Sequence, residues 1–428
     1  MTRSVGCDRR LATGWSREWR ARAGGVLLAV AMLAGQVQAA EPARWAAAWA
    51  TANLAPEAKD QLAPSDYQDA TLRQVVRLSV GGHQVRVRLS NAFGAEALRI
   101  RAAHIAVSAG PGSARIEPGS DRAMTFAGRP DVVIPKGADY WSDPVRLDVK
   151  ALASVAISLR YAEAPAAQTG HPGARATTYL LAGDHLAAPD LPGARTVELW
   201  RQIAAVEVLS PAKLAVLAAL GDSITDGYGV KADTNQRWTD FLAQRGEGRG
   251  IAVLNLGIGG NRVLADGLGP GGLARFERDV LSQPGVTHLL LLEGVNDLGV
   301  LTRQSPPASA DAYLALGDQL IGAYRQMVER ARGRGVKAIG ATIPPFGGSG
   351  YYHATPQSEA ARQALNAWIR TPGNFDAVVD WDMTLRDPAR PTHLAPAYDN
   401  DGLHPNIAGY AAMAKAIPLS LLAVRGEP

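Results

Sequence analysis

Five continuous apolar runs, at 214–220, 251–256, 287–292, 336–343 and 377–380, recur through the second half of this 428-residue chain. They do not alternate with polar residues, so each suits a strand buried on both faces, as in parallel sheets covered by helices. Between the third and fourth runs, Tyr313, Leu316, Leu320, Ile321, Tyr324, Met327 and Val328 fall at helical spacing, and Gly335 closes the segment. A last helix should begin after Pro405, because a first helical turn tolerates proline. The pattern predicts an α/β fold, a three-layer sheet built from βαβ units.

Upstream of Leu209-Ser-Pro211 the period changes. Val76-Arg-Leu78-Ser-Val80 alternates, Gly81-Gly82 turns, and Val85-Arg-Val87-Arg-Leu89 alternates again, which predicts a hairpin. Further short runs follow at 103–107, 132–134, 145–147 and 155–159, separated by Gly/Pro-rich turns. Arginines at alternate positions imply one solvated face. Many short strands without a helical pattern predict an antiparallel β-sandwich. The expected division is 1–40, 41–210 as a β accessory domain, and 211–428 as the α/β domain.

Residues 1–40 read as a secretory signal peptide. Six arginines precede or flank the apolar stretch Val26–Leu33, which is too short for a membrane span, and Val37-Gln-Ala39 offers small residues for cleavage. The expected location is therefore the periplasm or the medium. Those six arginines oppose only Asp8 and Glu18, a surplus equal to the +4 of the whole chain. The remainder is formally neutral, so charge gives no reason to expect nucleic acid or an anionic membrane as partner. Cys7, the single cysteine, also lies in the leader, which excludes a disulfide, a thiolate-held metal or a catalytic thiol beyond it.

Chemistry enters where the first apolar run stops at Gly221-Asp222-Ser223. A serine hydroxyl attacks a carbonyl only when a base takes its proton and a third group orients that base. Asp401-Gly-Leu-His404-Pro405 supplies such a pair, close enough for one turn to join carboxylate and imidazole. Two turns after predicted strands, Gly257-Ile-Gly259-Gly260-Asn261 and Gly294-Val-Asn296-Asp297, could offer donors to an oxyanion.

In this order Gly221-Asp222-Ser223, Gly260, Gly294-x-Asn296-Asp297 and Asp401-x-x-His404 resemble the four blocks of the SGNH (GDSL) hydrolases, over about the last half of the chain. The resemblance implies a flavodoxin-like parallel sheet, with Ser223 as nucleophile, His404 as base and Asp401 as acid. It also implies an oxyanion hole of the Ser223 and Gly260 N–H groups and the Asn296 amide. Ile224 stands where the family's short name has Leu, an apolar exchange. Asp222 and Asp297 are expected to support the loops that carry these groups. The two-part layout, the Asn91-Ala-Phe-Gly94 turn and the Gly227…Arg237-Trp238 stretch resemble the xylan-esterase-like branch, which implies an acetylated glycan as the ester substrate. No metal or cofactor is required.

Other motifs fall short. Gly267-Leu-Gly269-Pro-Gly-Gly272 matches Gly-x-Gly-x-x-Gly but follows no strand, and Thr225 replaces the second glycine of a Gly-x-Ser-x-Gly elbow. Asp399-Asn-Asp401-Gly402 lacks the acidic residue that would close a calcium loop. Thr342–Phe346, Tyr351, Tyr352, Trp238, Trp381 and Tyr398 are candidate cleft residues. The rival readings are a lysophospholipase or short-chain esterase and, from another class, a silent glycan-binding protein. Because His404 must be neutral to act as base, the rate should fall as it protonates on the acidic side, and a rate flat down to about pH 4 would contradict that role.

Overall fold

Every residue of the strand Ala215–Gly221 is buried in the computed structural model, which describes residues 43–210 and 213–423. It pairs in parallel with Ile251–Gly257 on one side and Val286–Leu292 on the other. Lys337–Ala341 and Ala377–Val379 complete an all-parallel, five-stranded sheet. Numbered within this sheet, the strand order is 2-1-3-4-5. The order reverses beside the first strand, and in open α/β sheets ligands bind in the crevice at the carboxyl ends of the strands flanking such a switch.

Alternate residues of Ala215–Gly221 serve two cores. Val216, Ala218 and Leu220 join a cluster with Leu320, Tyr324 and Met327 of the helix Ala310–Gly333. Ala215, Leu217 and Ala219 join another with Leu242, Tyr410 and Met413, from the helices Trp238–Arg245 and Ile407–Lys415. Helices on both faces explain why the strands read as unbroken apolar runs.

The first part of the chain forms a five-stranded and a seven-stranded antiparallel sheet. The expected hairpin is not there: Ala70–Arg77 pairs with strands of the seven-stranded sheet, whereas Gly82–Ser90 lies in the other. The connection crosses between sheets because Ser79 is tied to Ala48 O through both its N–H and its hydroxyl, at 2.8 and 2.7 Å. Alternation identified the strands but not their partners.

The solvated arginine face also needs correction. Arg88 is buried, and its guanidinium donates to Gln283 Oε1 at 3.1 Å and to Ser282 Oγ at 3.3 Å. Those acceptors belong to the turn before the third parallel strand, so the other half of the chain covers this face at Arg88, whereas Arg99 and Arg101 on the strand Leu98–Val107 are exposed. Ala47 N–H donates to Pro284 O and Val253 N–H to Ser79 Oγ, both at 3.0 Å. From Pro42 onward the chain forms one compact unit. Among the described residues no helix is long and apolar enough to cross a membrane. Residues 1–42, with the expected signal peptide, Pro211-Ala212 and the last five residues lie outside the described residues.

Arg88→Ala is expected to lower stability by about 1–3 kcal/mol, the range for a hydrogen bond to a charged group. Because Gln283 shares the bond, a double-mutant cycle with Gln283→Ala by chemical denaturation should show coupling; additive losses would contradict it.

Candidate active site

Gly221 ends the first strand with no room for a side chain, since a Cβ there would run into Thr225. Asp222 then caps the short helix Ser223–Asp226, its Oδ1 accepting from Ile224 N–H at 2.9 Å. Gly227, at φ 94°, ends the helix in the left-handed region and donates its N–H to Ser223 O. This tight turn sets Ser223 at the carboxyl end of the strand, with its N–H among the orphan donors of a helix start.

The other end of the chain meets it there. Ser223 Oγ lies 2.8 Å from His404 Nε2, and His404 Nδ1 lies 2.8 Å from Asp401 Oδ2. Since Nδ1 faces a carboxylate, it carries the proton, and Nε2 presents a lone pair to the hydroxyl. Asp401 Oδ1 also accepts from the backbone N–H groups of Leu403 and His404, at 3.1 and 2.8 Å. Burial alone would raise the Asp401 carboxyl, but the bonds from His404 hold it below the usual carboxylate value. It therefore remains charged opposite the imidazole.

Gly260 occupies φ 67°, and no hydrogen bond among the described residues takes its N–H. Asn296 Nδ2 donates to Asn261 O at 2.8 Å, while its Oδ1 accepts from Tyr352 Oη at 2.9 Å. One amide hydrogen is thus spent on orientation and the second is left for a ligand. Asp297 accepts from the N–H groups of Val263 and Leu264, at 2.9 and 3.2 Å, and so holds the loop that carries Gly260. The structure brings Ser223, Asp401 and His404 together and sets Gly260 and Asn296 on linked loops. Asp222 and Asp297 lie beneath them as loop-holding groups.

Sequence reasoning missed two residues. Arg275, fully buried, donates to Gly221 O at 2.9 Å, Leu256 O at 2.7 Å and Asn261 Oδ1 at 2.8 Å, and pairs with Asp279 and Glu293. It lies on a short helix without an obvious charge pattern, so nothing in the sequence marks it. Tyr228 stacks on the His404 ring, centroids 4.0 Å apart, and remains exposed. Tyr352, a candidate cleft residue from the sequence, instead meets Asn296. Trp238 and Trp381, by contrast, are fully buried against each other and are packing residues. Tyr398 packs on the same core.

These observations converge on one class of protein. The model of the GDSL-like lipase/acylhydrolase family matches residues 219–412. The match runs from the end of the strand before Ser223 through most of the helix Ile407–Lys415, so the GDSL-like region contains all four blocks. No curated protein matches the chain. Among solved structures, a GDSL-like lipase from Bacteroides thetaiotaomicron is 20% identical over 47% of this chain and 85% of its own, with a TM-score of 0.36. An acetyl xylan esterase is 19% identical over 47% and 96%, at 0.35. An alpha/beta hydrolase enzyme from the metagenome of Lake Arreo, Spain, is 18% identical over 48% and 94%, at 0.32.

Beneath the GDSL-like site lies a buried acidic cluster. Burial pushes the Asp222 carboxyl up to about 7; the charge of Asp297 adds to this, while the Ile224 N–H and Arg275 oppose it. Burial likewise raises Glu293, with Asp222 adding, and raises Asp297. A carboxyl whose folded value exceeds its unfolded one costs nothing below the unfolded value, and stability is lost as pH rises toward the folded one. Asn can keep the cap without the charge. Asp222→Asn should therefore gain melting temperature relative to the unsubstituted protein between about pH 4 and pH 7. A difference that is constant across that window would contradict the raised carboxyl. Tyr352→Phe frees Asn296 Oδ1 and should lower kcat on a short 4-nitrophenyl ester about two- to tenfold with little change in KM. A change in KM alone would exclude this positioning role.

Proposed function

We propose that the protein is an exported serine esterase that works through an acyl-enzyme. The observation that carries the proposal is the continuous relay from Ser223 Oγ through His404 to Asp401, with both bonds at 2.8 Å. Ser223 attacks the ester carbonyl while His404 Nε2 takes its proton. The oxyanion forms beside the N–H groups of Ser223 and Gly260 and the spare amide hydrogen of Asn296. The tetrahedral intermediate collapses, His404 returns the proton to the departing alcohol, and the acyl group remains on Ser223. Water, deprotonated by His404, then attacks the acyl-enzyme and releases the acid. Asp401 stays ionised throughout and stabilises the imidazolium that forms twice per turnover.

For the substrate we favour an acetyl ester on a carbohydrate. The support is the resemblance of the Asn91–Gly94 turn and the Gly227–Trp238 stretch to the xylan-esterase-like branch. Both now have structural roles. Asn91 Nδ2 ties its turn to the carbonyls of Glu96, Ile134 and Pro135, and Arg278 covers the Phe93 ring at 4.9 Å. Arg237 pairs with Asp240 beside Gly227. In this reading residues 41–210 are a β-sandwich accessory domain that walls the cleft of the domain at 211–428, and residues 1–40 direct export.

Acetate release from acetylated xylan is expected to depend on Ser223 and to vanish in Ser223→Ala. Ser223-dependent cleavage of a short 4-nitrophenyl ester without acetate release would redirect the search to lipid or small-molecule esters. Activity surviving in Ser223→Ala would overturn the mechanism. Asn296→Ala should cost on the order of 10²–10³ in kcat.

A further inference from the structure

Arg175 comes from the antiparallel part of the chain but lines a cavity beside the GDSL-like site. The cavity, about 260 Å³, is walled from one side by Leu54, His171 and Arg175 and from the other by Tyr228, Gly259 and Leu268. Tyr228 is the ring stacked on His404. Leu268 lies against Gly260, whose added Cβ would meet its side chain at 3.3 Å. The cavity thus adjoins both the base and the oxyanion donors.

The Arg175 side chain has no hydrogen-bond or ion-pair partner among the described residues, and its buried Nε is unsatisfied. Three acids nearby are engaged. Asp233 receives the Thr177 N–H at 2.8 Å and the Thr177 hydroxyl at 2.5 Å, Asp226 pairs with His171 at 2.9 Å, and Glu57 pairs with Lys59 at 3.1 Å. Asp60, also on the wall, neighbours Lys59. Arg175 holds φ 49°, a left-handed conformation rare for a side chain of this size, and its carbonyl is fixed by Asp233 N–H at 2.9 Å. Such strain persists where the surroundings over-determine it, and it concentrates at ligand clamps. A desolvated guanidinium donor without a partner is costly unless something fills the place.

We propose that Arg175 forms an anion subsite that receives a carboxylate carried by the ester substrate. The proposal deepens the esterase reading and rests on it for the word substrate. Arginine suits the role because its planar fork meets a carboxylate with two parallel hydrogen bonds. The antiparallel part thereby contributes to specificity directly.

The test compares matched esters. 4-Nitrophenyl succinate against 4-nitrophenyl butyrate places the charge on the acyl side; 4-acetoxybenzoate against its methyl ester places it on the alcohol side. The ratio of kcat/KM, charged over neutral, should exceed one for at least one pair. It should fall about tenfold or more in Arg175→Gln, through KM, and recover in part in Arg175→Lys. Ratios unaltered by Arg175→Gln would overturn the subsite. Independently of catalysis, glutarate should raise the melting temperature of Ser223→Ala but not of Ser223→Ala/Arg175→Gln. That shift would keep the subsite if every ester were refused and the esterase reading failed; absence of the shift would remove it.

Discussion

One buried guanidinium organises the ends of three parallel strands. Arg275 donates to the carbonyl of Gly221 at the end of the first strand and of Leu256 near the end of the second, and it pairs with Glu293 just beyond the third. Its Nε fixes Asn261, whose carbonyl receives the Asn296 amide. The turn before Ser223, the loop after Gly260 and the Asn296 amide are therefore members of one network. A charge this deeply buried is tolerable only because nearly every donor is spent. Removing one member should leave another uncompensated, so the network is conformationally strict. It also explains why carboxyls that burial pushes upward gather here: Asp222 and Glu293 share a single nearby cation and lie close to each other.

The relay of Ser223, His404 and Asp401 was legible in the sequence, because chemistry demands those residue types, and strand ends are where such turns fall. The parallel strands were legible for a related reason. Burial on both faces leaves few polar positions, such as Asn255 and His288, and observed boundaries lie within a few residues of the apolar runs. The hairpin at Gly81-Gly82 failed because alternation reports which side chain faces the core, not which strand lies alongside. Arg88 was misjudged for the same reason. A charge at an alternate position reads as solvated unless a second surface covers it, and the covering turn at Ser282-Gln283 is remote in sequence. Arg275 carries no local signal, since its partners come from four separate segments.

The antiparallel part is more than an appendage. Ser79 binds it to a strand of the GDSL-like region, Ala47 and Arg88 to the turn before another, and Arg278 reaches back to Asn53 O. His171, at its far end, pairs with Asp226 of the helix that begins with Ser223. Any movement of the antiparallel part relative to the parallel sheet would be felt at that helix. The two parts jointly wall one cavity, with Tyr228, Gly259 and Leu268 from one and Leu54, His171 and Arg175 from the other.

The central claim is that Ser223 is a nucleophile made reactive by His404. Incubation with a 4-nitrophenyl alkylphosphonate, followed by peptide mass spectrometry, tests it most directly. The account predicts a single phosphonyl adduct on the peptide containing Ser223, formed with stoichiometric nitrophenol release and much more slowly in His404→Ala. Modification of another residue, or labelling of Ser223 at the same rate without His404, would contradict it.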